Sequence, residues 1–218
     1  MQRRSTGWQR GTTMSKTLYL ECYSGISGDM TVAALLDLGA DREVLKESLK
    51  SLPVGGFRTE ITRVKKSGLD ACDFSVILEQ DNHDHDMEYL HGSEKSYTGH
   101  HEHSHEVNHE HHHGHTHSHE HPHEHRGMKE ITEIIQKSEM TVRAKKMAMR
   151  VFDILAQAES KAHGVPVEEV HFHEVGAVDS IVDIAAIAIC MDNLDISNVI
   201  VPVLYEGTGF IRCQHGQI

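Results

Sequence analysis

Apolar residues alternate over 17–23 (TLYLECY), the rhythm of a strand with one buried face, and the turn Ser24-Gly25-Ile26-Ser27-Gly28-Asp29 follows directly. A helix is predicted over 30–38, with Gly39 placed to close it. A second helix is predicted over 42–52, stopped by Pro53 and Gly55-Gly56. Residues 57–66 and 69–79 alternate around Ser67-Gly68 and predict a β-hairpin. A long polar stretch then intervenes, and order resumes at Arg126-Gly127 with a helix over 128–137. The next helix has the clearest signature. Thr141 caps it, Ala144, Ala148, Val151, Leu155, Ala158 and Ala162 form an apolar stripe, and Gly164 and Pro166 end it. A strand over 170–175, an apolar helix over 178–194 and a strand over 198–204 complete the pattern.

The order β-α-α-β-β, then α-α-β-α-β, predicts an α/β (mixed α+β) layered domain, with a mixed β-sheet flanked by helices. Residues 14–80 and 127–218 read as one domain, interrupted by a disordered insertion over 81–126. Residues 1–13 are basic and lack an apolar core segment, so they are not a secretory signal. Met14 immediately precedes the first strand and reads as the natural start, with 1–13 a disordered extension. Ile218 follows Cys213-Gln214-His215-Gly216 with no cap or polar tail, the mark of a chain cut inside a larger protein.

Composition sharpens the picture at one point. The 218 residues include 21 Lys plus Arg, 33 Asp plus Glu and 21 His, with a formal net charge of -12. So anionic a chain is poorly suited to nucleic acid or to an anionic membrane, and no apolar run approaches the roughly 20 residues that span a bilayer. Cys22, Cys72, Cys190 and Cys213 form no C-x-x-C pair, which argues for a reducing, cytoplasmic setting. Of the 21 histidines, 17 lie between His83 and His125.

The tract 100–125 holds 14 histidines, among them His100, His101, His103, His105, His111, His112, His113, His115, His117, His119, His121, His123 and His125. Imidazole is mostly neutral at pH 7 and ligates nickel, zinc and copper. A segment with so little to bury concentrates metal without fixing a reaction geometry. The turn at 24–29 is different: its glycines and the helix N-terminus suit a phosphate or carboxylate, or else Asp29 simply caps the helix. It is not a Walker loop, because Gly-Lys-Ser/Thr is absent. The densest stretch is HFHEVGAVDSIVDIA (171–185). On a strand His171 and His173 share a face and Glu174 takes the other, while Asp179 and Asp183 share a face of the next helix. Such a junction suits a metal or acid–base site, the reading favoured over the alternative of dipole-favoured Asp residues and a satisfied core histidine.

Together, LECYSGISGDMTVAALLDLGAD (20–41), the Arg126-Gly127 helix start after a histidine-rich insert, HFHEVGAVDSIVDIA and His215-Gly216 resemble the LarC family. Its members are nickel-insertion proteins that mature the nickel-pincer nucleotide cofactor of lactate racemase. The likeness runs over 14–218 and corresponds to the N-terminal part of the family, whose C-terminal part binds CTP. The resemblance implies a cyclometallase of the lyase class. Its substrate is a pyridinium mononucleotide with two thiocarboxylates, into which nickel is inserted through two Ni–S bonds and one Ni–C bond. CTP with Mg or Mn assists, and a lactate racemase-type apoenzyme receives the product. A homo-oligomer is compatible with this reading. The missing C-terminal part is the implied partner, and the chain alone is then expected to hydrolyse no CTP and to complete no insertion.

On that reading, forming the Ni–C bond displaces a ring proton, for which His173 and Glu174 are the candidate bases and Asp29 a further catalytic candidate. His171, His173, Asp179 and Asp183 are candidate nickel ligands. Ser24, Gly25, Ser27 and Gly28, or Lys146 and Arg150 on the basic helix face, are candidates for the substrate phosphate. Two other functions compete. One is a non-catalytic nickel store or metallochaperone in which the tract is the whole function. The other is a metal-dependent phosphate-ester hydrolase using Asp29, His173 and Asp179.

Overall fold

The computed structural model describes residues 16–79, 126–172, 177–205, 207–210, 212–213 and 216–217, the last four residues as backbone only. The expected extension at 1–13, the histidine tract, and His173 and Glu174 therefore lie outside the described residues.

Strand β1 (Lys16–Tyr19) leads through the 24–29 turn into helix α1 (Gly28–Asp37) and helix α2 (Arg42–Lys50). Gly39 makes the reversal between the helices at φ +104°. Asp41 caps α2 by accepting from the backbone N–H groups of Glu43 (2.8 Å) and Val44 (3.2 Å). Strands β2 (Phe57–Lys66) and β3 (Leu69–Leu78) pair antiparallel from Phe57–Leu78 to Lys66–Leu69. Ser67 and Gly68 both take positive φ, 50° and 83°, so the two-residue turn matches the twist of the strands.

Beyond the histidine tract come β4 (Arg126–Gly127), α3 (Met128–Lys137) and α4 (Val142–His163). A short 3-10 turn (Val167–Glu169), β5 (His171–Phe172), α5 (Val178–Asn193) and β6 (Ile196–Ile200) follow. A small pair, β7 (Arg212–Cys213) and β8 (Gly216–Gln217), closes the described chain. Thr141 accepts from the N–H of Ala144 at 3.0 Å, and Gly164 ends α4 in the left-handed conformation, both as the sequence predicts.

Helix α5 is the centre of the molecule. Ile181, Val182, Ala185, Ala186, Ala188, Ile189 and Cys190 are buried, and α1, α2, α4 and β3 pack around it. A helix apolar on nearly every side is stable only inside such a shell. The core joins Val32, Leu35 and Leu36 of α1 to Ile131, Ile135, Phe152 and Phe172, so residues on both sides of the histidine tract share one interior.

The mixed α/β class is as expected. Its strands are distributed over small two-stranded sheets: β1 with β6 in parallel, and β2–β3, β4–β5 and β7–β8 antiparallel. Two local expectations are corrected. The buried line of α4 is Ala144, Ala148, Phe152 and Ala156, while Val151, Ala158 and Ala162 of the predicted stripe are exposed. The cause is Phe152, whose ring meets Phe172 edge-on with centroids 6.3 Å apart and turns that row inward. The last predicted strand begins and ends earlier, at Ile196–Ile200, with only a bridge from Leu204 to Cys22 beyond it. No described helix is long and apolar enough to cross a membrane.

Candidate active site

The N-termini of α1 and α5 converge. Ser27 precedes the first helical residue of α1, its hydroxyl donates to the Asp29 carboxylate, and the N–H of Met30 donates to the same oxygen at 2.8 Å. Asp29 thus stays on the first turn of α1, where the dipole favours it. In α5, Asp179 and Asp183 lie one turn apart on the face that meets α1. Gly28 makes the approach possible: a β-carbon there would lie 2.8 Å from Cβ and Cγ of Asp183. The space next to Gly28 is filled by an aspartate.

Three carboxylates therefore share one helix junction, and among the described residues no basic side chain is hydrogen-bonded to them. Oδ1 of Asp179 and Oδ1 of Asp183 are buried and, among the described residues, have no hydrogen-bond partner. Buried acceptors without partners are uncommon and costly, and they call for a cation, a proton or a ligand. Burial, followed by the nearby charges of Asp29 and Asp179, pushes the Asp183 carboxyl up to about 7, against a smaller opposing pull from the Asp29 N–H. Asp183 is thus poised to hold or release a proton near neutrality. Among the described residues no three His, Cys, Asp or Glu side chains are already gathered tightly enough to enclose a metal ion.

The other predicted site residues fall as follows. Ser24 and Ser27 are exposed on the turn, and Gly25 adopts φ +82° with its N–H donating to Cys22 O at 3.2 Å. His171 is exposed on β5 and pairs with Gly127, not with the carboxylates. Lys146 and Arg150 are exposed on α4. Arg143 of that helix contacts Asp192, so α4 begins beside the C-terminal end of α5, opposite the end that carries Asp179. The fold brings Asp183 and Asp179 beside Asp29, while of the two predicted site histidines only His171 lies among the described residues. Two acids in the opening turns of an otherwise apolar helix were the available signal that they are partly buried.

A family model described as nickel insertion protein matches residues 18–218. A protein of Alkaliphilus metalliredigens named pyridinium-3,5-bisthiocarboxylic acid mononucleotide nickel insertion protein is 51% identical over 204 residues, covering 93% of this chain and 43% of that protein. Proteins of the same name from Clostridium acetobutylicum and Geobacillus kaustophilus are 45% and 41% identical, each over 92% of this chain and over 46% and 41% of their own lengths. The chain thus spans less than half the length of these curated relatives. No solved structure matches it. With the match running through both halves of the converging α1–α5 junction, the chain belongs to the nickel insertion protein family.

Proposed function

We propose that this chain is the part of a cytoplasmic cyclometallase that handles nickel and a proton during insertion into pyridinium-3,5-bisthiocarboxylic acid mononucleotide. The substrate's two sulfur atoms bind the incoming metal, and closing the Ni–C bond releases one ring proton. An acceptor with an affinity near neutral pH is what that step requires. Asp183 is assigned this role, and Asp29 and Asp179 the role of steadying a divalent cation beside it. His173 and Glu174 directly precede α5 in sequence and remain candidates for the same proton, with His171 as a passing nickel ligand. The turn residues Ser24, Gly25 and Ser27 are the proposed anchor for the substrate phosphate. The use of CTP with Mg or Mn, and transfer to a lactate racemase-type apoenzyme, are expected of the whole protein on the resemblance. The histidine tract is proposed to raise local nickel concentration.

The observation that supports this reading is the pair of buried, unpartnered oxygens on Asp179 and Asp183. Its test is single-turnover nickel insertion by the full-length protein carrying Asp183→Asn or Asp179→Asn, followed by product absorbance. Losing a positioned base costs about 10²–10⁴-fold in rate, so Asp183→Asn should fall at least about 100-fold with the thermal transition retained. A rate within about threefold of the parent, on a scale where one base is worth 10²-fold, removes Asp183 from the site.

A further inference from the structure

The stretch VIVPVLY (199–205) has no polar residue, yet all of it lies on the surface. Val199, Ile200, Val201, Val203, Leu204 and Tyr205 are each between 43% and 55% exposed, and Phe210 is 77% exposed. Tyr19 at the end of β1 and Tyr23 lie beside them, the latter with its ring 5.9 Å from that of Tyr205. Singly exposed apolar residues are ordinary; a contiguous run of this length marks an interaction surface.

The backbone agrees. Among the described residues, strand β6 has a neighbour on one side only, and its parallel partner β1 is four residues long. Val199 and Ile200, successive residues that point to opposite faces of β6, are both apolar and exposed, whereas a parallel strand is ordinarily covered above and below. The carbonyl of Ile200 faces β1, accepting from the Leu20 N–H at 2.9 Å. Strand alternation then turns the N–H and C=O groups of Val199 and Val201 to the open edge. An open edge beside exposed apolar residues is a template for another strand.

We infer that the β6 edge and the 199–205 run are the docking surface for the rest of the polypeptide of this family, which adds a strand to β6 and covers its apolar face. More than half of the Alkaliphilus metalliredigens relative lies outside the matched stretch, enough chain for a further folded body. A second copy is the weaker occupant, because it would bring two chains of formal net charge -12 face to face. The inference is independent of the chemistry at the α1–α5 junction.

The test is amide hydrogen exchange on this chain, alone and mixed with the separately produced unmatched portion of the Alkaliphilus metalliredigens relative. Binding is read by sedimentation on the parent chain and on Val201→Lys and Val203→Lys. The amides of 199–201 should slow at least about tenfold in the mixture, as they do on joining a sheet. Both variants should weaken association at least about tenfold, equivalent to 1.4 kcal/mol. Their own thermal transitions should be unchanged, since both side chains are exposed already. Absence of association, association that leaves 199–201 unprotected, or equal binding by the variants overturns the assignment. So does a dimer of this chain alone that protects the same amides.

Discussion

Helix α1 carries an aspartate in its first turn and another as its last residue, and the two ends treat them in opposite ways. At the C-terminal end Asp37 accepts from the Cys72 N–H at 2.8 Å and pairs with Arg63, which also holds Asp70. The Cys72 bond first, and the Arg63 guanidinium next, hold the Asp37 carboxyl below its ordinary value. At the N-terminal end Asp29 faces Asp183 and Asp179, and the charges that act on Asp183 among the described residues are both negative. One end is a saturated structural tie between helix and hairpin. The other is an incomplete electrostatic arrangement that a cation or proton completes, and incompleteness of this kind is where function is sought.

The contrast is broken most severely at Asp183. Its raised proton affinity means that the folded chain binds more protons than the unfolded chain between about pH 4 and pH 7. Its contribution is therefore present at low pH and lost as pH rises through about 7. The parent should lose roughly 2–4 kcal/mol relative to Asp183→Asn across that window, measured by denaturant unfolding at several pH values. Asp37 has the opposite sign: its contribution is present above its unfolded value and lost only in more acidic solution. A difference curve that is flat from pH 4 to pH 7 would remove the special status of Asp183.

Gly28→Ala comes next. The new methyl meets Asp183, and an overpacked contact costs about 1–3 kcal/mol, so the variant should melt lower and Asp183 should be displaced. Gly39→Ala is the control for glycine loss without crowding, since nothing lies within 4 Å of a β-carbon there and only its φ of +104° resists. If crowding is the cause, Gly28→Ala alone should impair nickel insertion beyond its loss of folded protein. Arg63→Ala should have the smallest effect. Exposed ion pairs contribute little, so a shift of about 2 °C or less in the thermal transition, with an unchanged insertion rate, is expected.

Local chemistry made much of the fold readable. Thr141 and Gly164 bracket α4, and Ser67-Gly68 sets the hairpin, because caps and tight turns are decided by neighbouring residues. The α4 stripe departs from the sequence pattern at Val151, Ala158 and Ala162, because the contact that turns the helix, Phe152 on Phe172, joins different elements. The run after β6 looked like strand because an apolar stretch carries no period, and whether it pairs depends on what lies alongside. The site divides similarly. The spacing of Asp179 and Asp183 announces a shared helix face, whereas their meeting with Asp29, about 150 residues earlier, is a product of α1 packing on α5.

The most direct test of the junction is a carboxyl carbon NMR titration of Asp183, with and without excess zinc as a diamagnetic stand-in for nickel. Asp183 should titrate near 7 in the metal-free chain. It should move below about 5 once a cation neutralises its neighbours. A titration near the ordinary aspartate value of about 4, indifferent to metal, would contradict the account.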